Sequence, residues 1–136
     1  MPYFMCDDDT FVEAAAFYAE KLGIPDNAII GIKLYDNLEG LQGYCEYHTD
    51  TEIPYILIGI EDSKEGDDPL AVLAHEMVHA KQYTTGELID KGTHCMWKGK
   101  AFHDVEVDSE GYYFSPWEVE AFGKQVGLYN LYCRVG

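Results

Sequence analysis

The 136 residues, 47% hydrophobic and 14% aromatic, suffice for one domain with a genuine core and are too apolar for a disordered chain. Nine basic against 25 acidic side chains leave a formal net charge of −16. That charge repels phosphate backbones and anionic lipid, so no nucleic acid and no membrane is expected as a partner, while cationic substrates or divalent metals are favoured.

The first residues, Met1-Pro2-Tyr3-Phe4-Met5-Cys6, lead into three aspartates, without the basic start, apolar run and cleavage site of a signal peptide. No stretch reaches transmembrane length. Cys6, Cys45, Cys95 and Cys133 are far apart and never form Cys-x-x-Cys. They are read as unpaired thiols in a reducing, cytoplasmic setting.

Asp7 to Gly23 is expected to be the first helix. Thr10 and Glu13 fit a capping box, Phe11, Ala14, Ala15, Tyr18 and Leu22 recur at helical spacing, and Gly23 and Pro25 stop it. Ala28 to Tyr35 is β-branched and apolar, as in a strand. A turn cluster, Asp36 to Gly40, precedes a second strand from Leu41 to His48, in which Gly43 marks a bulge or weak point. Here His48 reads as an exposed strand-end histidine. The clearest strand is Tyr55 to Ile60.

A short acidic loop then leads to Leu73-Ala74-His75-Glu76-Met77-Val78-His79-Ala80-Lys81-Gln82. Residues four apart share a helix face, so His75 and His79 can grip one metal ion, and Glu76 faces its open position. Asp68-Pro69 reads as an N-cap with proline in the first turn, and Gly86 as the end. Leu73, Met77, Ala80 and Thr84 form an apolar stripe beside the histidines.

Gly86 to Asp108 reads as turns and short strands, with a hairpin or irregular strand at Met96 to Phe102 flanked by His94 and His103. The final helix is expected from Ser115 to Gln125, with Ser115 as N-cap. Three protein ligands are needed for a catalytic zinc site. The metzincin pattern would place Gly at 82 and His at 85, where this chain has Gln82 and Thr85. The candidates left are Glu118, Glu120, His94 and His103. Glu118 shares a face with Ala121, Phe122 and Gln125 and is favoured, although Ser115 and Glu118 also fit a capping box. Glu120 stands four residues before Lys124, the spacing of an exposed ion pair.

His75-Glu76-x-x-His79 followed by Glu118-x-x-Ala121 on a second helix resembles the gluzincins, the thermolysin-like zinc peptidases, and the chain's size is similar to their minimal single-domain members, the minigluzincins. The resemblance covers the last half of the chain and the strand Tyr55 to Ile60. It implies one α+β, zincin-like domain over residues 1–136, with a mixed or antiparallel sheet, the motif helix, and a C-terminal helix bearing the third ligand. It also implies Zn2+ on His75, His79 and Glu118, and hydrolysis of a peptide or protein substrate through a zinc-activated water with Glu76 as general base. Tyr112 is the expected oxyanion donor, with Tyr113 or His103 as alternatives. The strand Tyr55 to Ile60 would be the sheet edge lining the cleft, or else a central core strand. Family members often carry Asp or Asn after the alanine, where this chain has Phe122, so Asp104, Asp108 or a backbone carbonyl is expected to orient a ligand histidine. The alternatives are a metal-binding module without proteolysis and an unmetallated interaction protein.

Overall fold

The structure, a computed structural model, describes residues 1–62, 66–103 and 114–135. Its elements are β1 (Tyr3–Met5), α1 (Asp9–Leu22), β2 (Ile29–Tyr35), β3 (Gly43–His48), β4 (Tyr55–Glu61), α2 (Pro69–Thr84), β5 (Leu88–Asp90), β6 (Cys95–Trp97), β7 (Lys100–Phe102) and α3 (Pro116–Val135). This is an α+β domain. No helix among the described residues is long and apolar enough to cross a membrane, and all four cysteines are free.

The main sheet is mixed, with strand order β1-β2-β4-β3. β1, β2 and β4 run parallel, and β3 pairs antiparallel to β4. The period-two alternation sends Ile30, Ile32, Ile56, Ile58 and Ile60 to one face, where they are buried in a core shared with α1 and α2. Among the described strands β4 is therefore central, and the edge reading of Tyr55 to Ile60 is corrected: β3 is the edge beside the motif helix. The reason is physical. β4 has neighbours on both sides and carries an almost unbroken apolar run, whereas β3 is half-solvated, as a terminal strand should be.

The first helix begins two residues earlier than the Thr10–Glu13 pair would place it. Asp8 is the N-cap, its carboxylate accepting from the backbone N–H groups of Thr10 and Phe11, and Gly23 closes the helix in the left-handed region (φ 71°). The motif helix has the expected start: Asp68 caps it, accepting from Leu70 N–H, and Pro69 occupies the first turn. Its end is also as expected, with Thr85 as C-cap and Gly86 turning the chain out at φ 78°. A one-sided apolar stripe is too narrow a description, however. Every residue from Val72 to Ala80 is buried, because α2 packs against β3 and β4 and against both α1 and α3.

After α2 the chain forms a three-stranded antiparallel meander, β5-β6-β7. The Met96–Phe102 hairpin turns on Lys98 (φ 48°) and Gly99 (φ 86°), two successive positive φ angles, the signature of a type I′ turn. Leu88 and Trp97 from this meander bury Trp117 at the start of α3, with Phe102 packed beside them. α3 itself runs ten residues beyond the expected Gln125.

Gly43 turns out to be a point of close approach. A Cβ there would meet Val72 Cγ1 at 2.7 Å and both Glu76 Oε2 and the carbonyl oxygen of Gly59 at 3.1 Å. Gly43→Ala is expected to destabilise the fold by about 1–3 kcal/mol through overpacking, read as a lower urea midpoint at unchanged slope. Unaltered stability would show that β3 and α2 are not packed this closely.

Candidate metal centre

His75 and His79 stand one turn apart on α2, with ring centroids 5.0 Å apart. Glu118 reaches them from the first turn of α3. Its Oε1 lies 3.2 Å from His75 Nε2 and its Oε2 3.1 Å from His79 Nε2. All three side chains are buried. Among the described residues this is the group of side chains that could hold a metal ion, with ligand atoms within 4.8 Å of one another.

The other candidates fall away for visible reasons. Glu120 turns to Lys81, Lys124 and the amide of Gln82. His94 and His103 stack on each other, with centroids 4.7 Å apart, and do not join the group. His48 stacks on Tyr55 and meets Glu46, as a strand-end histidine. Glu118 does more than close the helix end, since both its carboxylate oxygens face imidazole nitrogens. Tyr112, Tyr113, Asp104 and Asp108 lie outside the described residues.

Two glutamines hold the ligand rings, and neither was anticipated. Gln82 is fully buried, and its Nε2 donates to the Trp117 carbonyl at 2.9 Å and to Glu120 Oε1 at 3.0 Å. Both partners are acceptors, which fixes the amide orientation and leaves Oε1 to accept from His79 Nδ1 at 2.8 Å. Gln125 Oε1 likewise accepts from His75 Nδ1 at 3.0 Å. With Nδ1 of each ring committed as donor, each Nε2 is the nitrogen available to a metal. Phe122 takes no part in this hydrogen bonding, and its ring packs edge-on against His75 with centroids 4.4 Å apart. Thus Gln125, one turn beyond Ala121, does the work expected of Asp104, Asp108 or a backbone carbonyl.

The donor set fits a zinc ion. Tetrahedral ligand atoms about 2.0–2.2 Å from zinc are separated by about 3.3–3.5 Å, and the two observed nitrogen–oxygen separations fall a few tenths of an ångström short of that. Without a metal, the same groups form a charged cluster. Burial opposes protonation of His79, but the Glu118 hydrogen bond and the charges of Glu76 and Glu118 outweigh it and raise its pKa to about 9. Burial likewise disfavours ionised Glu118, yet the two histidines hold its pKa down to about 2. Glu76 is pushed up by burial against the lowering effect of His79 and His75.

Zinc content by elemental analysis should drop from one per chain to near none in His79→Ala and Glu118→Ala, and stay at one in Glu120→Ala. Gln125→Ala, which frees the His75 ring, should weaken zinc affinity about 10- to 100-fold. Full zinc in Glu118→Ala would displace α3 from the centre. The raised His79 pKa has two consequences of opposite sign. In the metal-free protein, its pairing stabilises the fold fully below the ordinary value of 6.5 and is lost as pH rises through about 9. The Glu118 contribution is present above 4.5 and is lost as pH falls through about 2. Metal binding needs the neutral imidazole, so zinc affinity should rise about tenfold per pH unit from pH 7 and level off near pH 9. Titration calorimetry in buffers of different ionisation enthalpy measures the released proton, and a pH-independent affinity would contradict the assignment.

Comparison with family models, curated proteins and solved structures finds no match for this chain.

Proposed function

We propose that this chain is a zinc-dependent peptidase that cleaves extended, unfolded segments, with Glu76 as general base. The observation that carries the reading is the buried His75–His79–Glu118 group, with Glu76 on the same helix and beside the edge strand β3. Two imidazoles and one carboxylate are the donor set of hydrolytic zinc sites that keep a coordination position free. A zinc ion bound there supplies Lewis acidity toward a carbonyl and acidifies water.

The remaining chemistry belongs to the chain. Burial raises the Glu76 carboxyl above its ordinary value, which makes it a stronger proton acceptor than a solvated carboxylate. Gly43 leaves room for that carboxylate against β3, where any side chain would crowd it. β3 pairs on one side only among the described strands, so its outer backbone groups can hydrogen-bond an extended substrate. Pairing of that kind selects unfolded segments over folded cores. Tyr83 lies one turn beyond His79 on the same helix face and lines the neighbouring cleft. Its phenol is kept well above the usual range by burial and by Cys45, Asp90, Cys95 and Glu118, so at neutral pH it remains a donor for a substrate carbonyl.

Glu76→Gln should retain one zinc and lose turnover of an unfolded protein substrate about 10²- to 10⁴-fold. Chelation should abolish activity in the parent chain, and added zinc should restore it. Zinc-loaded protein that cleaves no unfolded substrate, or a Glu76→Gln variant as fast as its parent, would end this reading.

A further inference from the structure

All three helices share one core with the buried isoleucines of the main sheet, so they lie on the same side of it. The opposite face is open among the described residues, and Tyr3 and Met5 on it are 66% and 59% exposed. Sheets built from parallel strands are normally covered on both faces, so the parallel β1, β2 and β4 leave this side unfinished. Strand alternation names what it carries. β2 turns Ile29, Gly31, Lys33 and Tyr35 outward, and β4 turns Tyr55, Leu57, Gly59 and Glu61 outward.

This face is flat and nearly neutral. A Cβ on Gly59 would overlap the Tyr44 ring, so that ring lies down across β4, and its hydroxyl meets that of Tyr35 at 2.7 Å. Leu57 leans over Gly31, its Cδ1 3.5 Å from the point a Cβ would occupy. His48 stacks on Tyr55 with centroids 4.8 Å apart. Lys33 on β2 stands against Glu46 on β3 and Glu61 on β4, close to a balance on a chain whose net charge is −16. Two such chains repel each other, and the repulsion is least where a balanced face meets its like.

We propose that this face pairs with the same face of a second copy of the chain, about a twofold axis that runs along the strands between β2 and β4. The strand register makes the face self-complementary under that operation, which lays β2 of each copy over β4 of the other. Lys33 is level with Gly59, and Gly31 with Leu57. Leu57 of one copy therefore meets the small Gly31 of the other, and Lys33 meets the Tyr44 ring that fills the space at Gly59. Glu61 lies one pleat beyond Gly59, within reach of the opposing ammonium, and the symmetry makes this contact twice. Four strands about 4.8 Å apart and about 20 Å long give a footprint of about 400 Å² per copy, the scale of a weak, reversible contact. Both metal centres lie on the helical side of the sheet and stay accessible in the pair. The pairing does not depend on the peptidase reading.

Sedimentation equilibrium of the full chain, from about 5 µM to about 1 mM in about 0.15 M salt, tests it. The average mass should climb from one chain toward two, with a dissociation constant on the order of 10–100 µM. Leu57→Lys, which sets an ammonium at the centre of the face, should leave the chain monomeric with an unchanged circular dichroism spectrum. Lys33→Glu and Glu61→Lys should each weaken pairing about tenfold or more, because each alone places like charges opposite one another twice. An equimolar mixture of these two variants should form a heterodimer within about threefold of the parent affinity, since the mixture restores both opposite-charge contacts. That recovery also shows that neither variant has lost its fold. A parent chain that stays monomeric up to about 1 mM would overturn the proposal. So would a dimer indifferent to all three substitutions, or single-charge variants that remain apart when mixed.

Discussion

The contact on which this structure depends is the one between the Glu118 carboxylate and the two imidazoles of α2. It joins residues 43 positions apart at His75 and is made inside the protein, where an unpaired charge is costly. Burial of three ionisable groups is tolerable only if each is satisfied, and among the described residues no buried side-chain nitrogen or oxygen lacks a partner. The cost explains the architecture around the site. α2 packs against β3, β4, α1 and α3, so its histidines are largely withdrawn from solvent, and Ala121 is small and fully buried where α3 joins the common core.

Gln82 is the link between this contact and the rest of the fold. One amide orients His79, holds the Trp117 carbonyl at the start of α3, and meets Glu120. Glu120 is in turn paired with Lys81 and Lys124, and Lys81 with Glu87, just before β5. The small meander adds an apolar clamp through Leu88, Trp97 and Trp117. Glu118 is thus positioned from both sides, by its preceding residue in a hydrophobic cluster and by hydrogen bonds to the turn that contains it. The second sheet, which carries no ligand, matters to the site because it fixes where α3 begins.

Much of this was legible in the sequence where the signal was local. The His75–Glu76–His79 spacing, the Asp68-Pro69 start and the inward face of Glu118 each depend on residues within one or two turns. What escaped was set by distance. The roles of Gln82 and Gln125 were not legible, even with Gln125 on the inward face, because the partners they reach on the other helix lie 35 and 50 positions away. The order of β3 and β4 was equally hidden: an apolar run says that a strand is buried, and does not say on which sides it has neighbours. Gly43 looked like a weak point because a missing side chain carries no information about what fills the space, and only the fold reveals Glu76 there. Asp8 against Thr10 is a smaller error of the same type, since both are good caps two residues apart.

The choice of amides over carboxylates at the histidines follows from the charge of the chain. With a net charge of −16 and both Glu76 and Glu118 at the centre, an acidic residue at position 122 would add a further negative group beside His75. Gln82 and Gln125 accept the same Nδ1 protons without adding charge, and Phe122 covers the His75 ring with an apolar surface instead. Neutral acceptors make the imidazoles weaker donors than carboxylate-paired ones, because less negative charge is passed to the metal-facing nitrogen. A metal held this way would keep more of its own positive charge, which on the proposed hydrolytic reading would favour acidification of water over tightness of binding. The carboxylates of the acidic surface would add attraction for a divalent ion.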